Sequence, residues 1–137
     1  MKQLLLIALS ALLFSTCKNK DAEPDKPDPN APKSMSYSIV ATYPHDTSSY
    51  TQGLLIYNGS MYEGTGNYGN SKLRKIELKT GKAEQEISLD KQYFGEGVTI
   101  LNDTVYQLTY KEKKVFVYTL KDFKKIKEYD VNFEGWG

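Results

Sequence analysis

From Tyr37 onward the chain alternates with a period of two, the spacing of a half-buried strand. Tyr37, Ile39 and Ala41 alternate with Ser38, Val40 and Thr42, which predicts a first strand over 37–42. Short strand patterns then recur between turn residues. Leu54 to Tyr57 is closed by Asn58-Gly59, a strong hairpin signal, and Ser60 to Thr65 returns. After the Gly/Asn loop from Gly66 to Asn70, Lys72 to Leu78 and Ala83 to Leu89 pair across the Lys79-Thr80-Gly81-Lys82 turn. The same order repeats with Val98 to Leu101, Thr104 to Tyr110, Lys114 to Leu120 and Lys124 to Val131. No window carries a helical period, so the fold class is all-β.

The two sets of strands begin alike. Tyr50-Thr51-Gln52-Gly53 opens the first, Phe94-Gly95-Glu96-Gly97 the second, and Phe133-Glu134-Gly135-Trp136 follows as a third start. Four strands per unit of about 40 residues is the signature of a β-propeller blade. In such a ring the first strand of each blade lines the central channel, where crowded backbones favour Gly. A polar side chain at the same position of successive blades then converges on one mouth. The competing reading is an ordinary meander in which these glycines only mark bulges at strand starts, and the repeat alone leaves it open.

The first 36 residues do not fit the strand pattern. A positive start at Lys2, an apolar run from Leu4 to Phe14 and the small Ser15-Thr16 have the order of an export signal over residues 1–16. The run is too short to span a bilayer, which takes about 20 residues. Cys17 follows at once, as in a bacterial lipoprotein lipobox, although Phe14-Ser15-Thr16-Cys17 departs from the commonest Leu-Ala-Gly-Cys form. Cys17 is therefore the candidate lipidation site, tethering an exported protein to a membrane of the cell envelope. Simple secretion and a buried N-terminal helix with a core cysteine are the alternatives. Residues 17–36 hold four of the five prolines among Lys, Asp, Glu and Asn, and read as an extended tether. The fold is left to residues 37–137.

Composition narrows the function. The 137 residues carry 18 basic and 17 acidic side chains, so no basic field points to nucleic acid. One Cys and one His permit neither a disulfide framework nor a Cys-based zinc site. His45, in a Tyr43-Pro44-His45-Asp46 sequence, is expected to fix a lead-in turn by hydrogen bonding. Asn58-Gly59-Ser60 and Asn102-Asp103-Thr104 match glycosylation sequons but fall on hairpin turns. The Lys-rich stretch from Lys111 to Lys127 reads as a solvated strand face. Tyr is abundant, 11 residues against a single Trp, which suits strands.

Several of these sequences together resemble the plant-type and bacterial glutaminyl-peptide cyclotransferases. They are Tyr43-Pro44-His45-Asp46, Tyr50-Thr51-Gln52-Gly53-Leu54, Tyr62-Glu63-Gly64-Thr65-Gly66 with Tyr68-Gly69, and Ser71-Lys72-Leu73-Arg74. Tyr93-Phe94-Gly95-Glu96-Gly97-Val98-Thr99, Gln107-Leu108-Thr109-Tyr110 and Glu134-Gly135-Trp136-Gly137 continue the likeness in order.

The resemblance implies a five-bladed propeller of which about two blades and the start of a third are present. It implies conversion of the N-terminal glutamine of a peptide to pyroglutamate with release of ammonia, and no metal or other cofactor. By this resemblance Glu96 matches the proton-transferring glutamate and Gln52 the substrate-orienting glutamine. Tyr50, Phe94, Tyr110 and Trp136 match an aromatic wall around the substrate side chain. Tyr50 and Tyr110 stand where Phe and Trp are usual, which makes the wall more polar. Glu134 occupies the analogous repeat position and is expected to serve structure by bonding backbone amides. The chain is expected to be the N-terminal portion of such an enzyme, inactive by itself because its channel is open on one side. The alternative is a noncatalytic, membrane-tethered fragment that binds a protein or peptide partner.

Overall fold

The computed structural model describes residues 28–135. The expected signal, Cys17 and Trp136 lie outside them. The chain divides into two units, Met1–Ser38 and Ile39–Gly137. Of the first unit, residues 28–38 form no strand, and a turn at its start is closed by Asn30 N–H donating to Asp28 Oδ1 at 2.8 Å.

The second unit holds eight antiparallel strands in two sheets. Strands β1 (Thr51–Tyr57), β2 (Ser60–Thr65), β3 (Lys72–Ile76) and β4 (Ala83–Ser88) form one sheet in chain order. Strands β5 (Gly95–Leu101), β6 (Thr104–Thr109), β7 (Lys114–Thr119) and β8 (Lys125–Asp130) form the other in the same way. Among the described residues there is no helix. Each sheet is an up-and-down meander of four strands, the form of a propeller blade. The β1–β2 and β5–β6 hairpins turn at the same place. Asn58 and Gly59 have φ of 48° and 79°, and Asn102 and Asp103 have 47° and 57°, the left-handed pair that matches strand twist in a two-residue turn.

Two expectations need correction. The strand predicted over 37–42 does not form, and Tyr37, Ile39 and Val40 are 91%, 78% and 95% exposed. Alternation marks a segment able to cover a sheet, but a strand exists only where an edge pairs with it, and none does here. The inner strands also begin earlier than predicted, at Thr51 rather than Leu54 and at Gly95 rather than Val98. The register of β1 on β2 shifts between Thr51 and Gly53, and that of β5 on β6 between Gly95 and Val98. The glycines at these strand starts mark bulges inside the ladder, and Gln52 and Glu96 sit in them.

The core forms where the sheets meet. Tyr62 and Leu73 of the first sheet cluster with Val105, Phe116 and Tyr118 of the second, together with Phe123 beyond β7. Tyr62 and Phe123 meet edge-on with centroids 6.3 Å apart. At the inner strands the backbones themselves touch. A Cβ on Gly53 would stand 2.5 Å from Val98 N, one on Gly64 would stand 2.6 Å from the Glu96 carbonyl oxygen, and one on Gly95 would stand 2.6 Å from that of Thr65. Only Gly allows this approach. At the far edge β8 is exposed along its whole length. Its Lys125 and Lys127 discourage pairing with another chain, as the Lys-rich pattern predicts for a solvated face.

Candidate active site

The bulges place the site residues side by side. Gly53 of β1 abuts Gly97 and Val98 of β5, so Gln52 and Glu96, the residues just before, belong to neighbouring strand starts. Gly66 joins them further. A Cβ there would lie 2.4 Å from Phe94 Cε1 and 3.1 Å from Gln52 Cγ, so Gln52 and the Phe94 ring share the space above one glycine.

Phe94 is the hub of an aromatic cluster. Its ring centroid is 6.1 Å from Tyr50, 5.4 Å from Tyr68 and 5.8 Å from Tyr110, all tilted or edge-on. Such geometry aligns ring edges with π faces. Backbone bonds fix the same segments: Gly66 N–H donates to Tyr50 O at 2.8 Å and Tyr110 N–H to Phe94 O at 3.0 Å. Three of the four predicted wall residues, Tyr50, Phe94 and Tyr110, are therefore in one place. Tyr68 is a fourth ring that sequence reasoning left out of the wall, and its Tyr68-Gly69 pairing was the available signal.

Glu96 is 7% exposed. Burial pushes its carboxyl above the ordinary value of 4.5, and the negative charge of Glu112 adds to the rise. Beneath it Gln107, fully buried, donates from Nε2 to Lys72 O at 3.1 Å. Its Oε1 has no partner among the described residues. Gly95 N–H donates to Ser71 Oγ at 2.9 Å, and that hydroxyl donates to Asn67 O at 2.9 Å. Glu134, at the third repeat position, is exposed.

The segment leading into β1 is held by a buried charge network. Glu63, with no exposed surface, lies 3.0 Å from His45 Nε2 and accepts from Thr51 Oγ1 at 2.5 Å. Arg74 donates to Ser49 Oγ at 2.6 Å and Asp46 Oδ2 at 3.1 Å, and its Nε stands 3.0 Å from Glu86 Oε2. The Ser48 hydroxyl and amide, followed by Arg74, hold the Asp46 carboxyl down at about 2. His45 therefore bonds as its motif suggests. Glu63 and Arg74 tie residues 45–51 to β2 and β3, which sets where Tyr50 and Gln52 point. A polar cleft of about 280 Å³, lined in part by Asp46, Ser49, Asn70, Lys72 and Arg74, shares Gly66 with the aromatic cluster but none of the predicted site residues. Among the described residues no group of three or more His, Cys, Asp or Glu could hold a metal ion.

The family model of the glutamine cyclotransferases matches residues 6–137. The chain belongs to the glutamine cyclotransferase family. A glutaminyl-peptide cyclotransferase of Arabidopsis thaliana is 41% identical over 101 residues, covering 72% of this chain and 32% of that protein. The crystal structure of Myxococcus xanthus glutaminyl cyclase superposes with a TM-score of 0.65 at 29% identity, covering 73% of this chain and 42% of that one. The chain thus spans about a third of the length of the curated relative. The two sheets are blades of the fold it shares with the Myxococcus cyclase, and the bulges at Gln52 and Glu96 are one feature repeated in both.

Proposed function

We propose that this chain supplies the proton-transferring carboxyl and part of the substrate cradle of a glutaminyl-peptide cyclotransferase, acting on peptides or proteins with an N-terminal glutamine. The observation that carries the reading is the buried Glu96 carboxyl, its pKa raised, two residues along β5 from the Phe94 aromatic hub.

The chemistry asks little else of the protein. The substrate's neutral α-amine attacks its own γ-amide carbonyl carbon. The new C–N bond closes the lactam ring, and the old C–N bond breaks to release ammonia. Both partners are in one molecule, so holding the side chain curled toward the amine supplies much of the acceleration. A proton must pass from the attacking nitrogen to the departing one. Glu96 takes it and returns it, and burial that raises the carboxyl above its ordinary value suits it to both steps. Gln52 can donate to the carbonyl oxygen or accept from the amine. Phe94, Tyr50 and Tyr110, and by the family resemblance Trp136, hold the glutamine side chain and exclude water.

The protein reaches its substrates as an exported bacterial lipoprotein of the cell envelope, anchored by acyl chains on Cys17 with residues 17–36 as the spacer. The apolar run before Cys17 and the prolines after it support this. Cys17→Ser should move the protein from the membrane to the soluble fraction.

The enzymatic reading is tested by pyroglutamate and ammonia release from a Gln-initiated peptide. Turnover that disappears in Glu96→Gln and survives in Glu134→Gln supports it. Turnover indifferent to Glu96→Gln contradicts it, and peptide bound without turnover is what an open channel and a noncatalytic binding fragment both give.

A further inference from the structure

Glu112 lies in the β6–β7 turn between Lys111 and Lys113, where the sequence shows only a charged turn. In the fold it connects both blades. Its Oε2 accepts from the backbone N–H of Phe94 at 3.3 Å, just before β5. Its Oε1 accepts from the hydroxyl of Tyr68 at 2.9 Å, in the loop after β2. Those are two of the four rings of the aromatic cluster, and they also touch each other, with centroids 5.4 Å apart. One carboxylate therefore ties the Phe94 backbone to the Tyr68 ring that leans on it. Phe94 is two residues from Glu96.

We propose that Glu112 is a positioning residue for this site: it clamps Phe94 and Tyr68 in register and brings a second carboxyl near Glu96. The proposal rests on the reading of Glu96 as the proton carrier. A surface turn needs no carboxylate bonded across two blades, and the charge has a chemical consequence. A carboxylate close by disfavours ionisation of a second one, so Glu112 adds to the effect of burial in keeping a proton available on Glu96. It does so without touching substrate. Glu112 acts on Glu96 and Tyr68, and in the turn it is flanked by Lys111, whose Nζ lies 5.1 Å over the Tyr110 ring, and by Lys113. The Tyr68 hydroxyl, bonded to Glu112, is itself made harder to ionise.

The test is a carboxyl-carbon NMR titration of Glu96 in the full chain. Glu112→Gln should lower the Glu96 midpoint and shift the Phe94 amide resonance. Tyr68→Phe removes one hydrogen bond but not the charge, so it should leave the Glu96 midpoint raised. An unchanged Glu96 midpoint in Glu112→Gln, with the amide spectrum showing that the variant folds, overturns the proposal; so does a midpoint that falls as far in Tyr68→Phe, where the Glu112 carboxylate is kept. Neither readout uses turnover, so an inactive chain bears on the functional reading and not on this one.

Discussion

Gly66 and Phe94 are in such close contact that a Cβ on residue 66 would stand 2.4 Å from Phe94 Cε1. The ring edge is what it meets, and a ring can turn away where backbone cannot. Gly66→Ala should therefore fold but push Phe94 out of its place beside Gln52. We expect a loss of about tenfold or more in affinity for a Gln-initiated peptide, the scale of a small misplacement in a positioned site. Calorimetry of binding, with far-ultraviolet dichroism to confirm the fold, checks it.

Gly53 presents the opposite case. Its missing Cβ would stand 2.5 Å from Val98 N and 2.9 Å from Gly97 Cα, and all of this is backbone. Gly53→Ala must separate β1 from β5, and overpacking of this kind costs about 1–3 kcal/mol. Urea unfolding should show a lower midpoint for Gly53→Ala than for Gly66→Ala.

The charge network should matter by its burial. Glu63 is fully buried against Arg74 and His45, and an uncompensated buried charge costs about 3–5 kcal/mol. Glu63→Ala leaves Arg74 still paired with Asp46 and Glu86, so its loss should stay below that range while taking the acceptor from Thr51 and His45 and loosening the approach to Tyr50 and Gln52. Lys125→Ala breaks an exposed pair with Glu128 and should change stability by less than about 1 kcal/mol. Denaturant titration of the two variants gives the comparison directly.

Glu96 makes stability depend on pH. Its folded value lies above the ordinary 4.5, so the folded protein holds the proton more tightly than the unfolded chain. That contribution is fully present below 4.5 and is lost as pH rises through the folded value. Glu96→Gln, which copies the protonated form, should raise the melting temperature at neutral pH, with the difference closing in acid. A variant less stable than the parent at neutral pH would falsify the burial argument.

The strands were legible because their signals are local. Alternation and the Asn58-Gly59 and Asn102-Asp103 turns are properties of neighbouring residues, and the repeat spacing follows from them. The segment from Tyr37 to Thr42 carries the same alternation and forms no strand, because pairing depends on an edge that a local pattern does not contain. Gln52 and Glu96 were found by resemblance. The bulge at each strand start was one of the two readings of the glycines beside them, but the local pattern could not show that the bulges belong to adjoining blades. Glu112 and Glu63 were invisible as functional groups. Tyr68 is 44 residues from Glu112 and His45 is 18 from Glu63, so the first role exists only once the blades have met and the second only once the lead-in has folded back onto β2.

The central claim is that Gln52, Phe94 and Glu96 form one surface for an N-terminal glutamine. Its most direct test is titration of the labelled full chain with a Gln-initiated peptide, followed by NMR, with the same peptide begun by pyroglutamate as control. The account predicts that the Gln52 side-chain amide, the Phe94 backbone and the Glu96 carboxyl shift together, and more with glutamine than with the cyclised control. No shift at these residues, or shifts confined to the Asp46–Arg74 cleft, would contradict it.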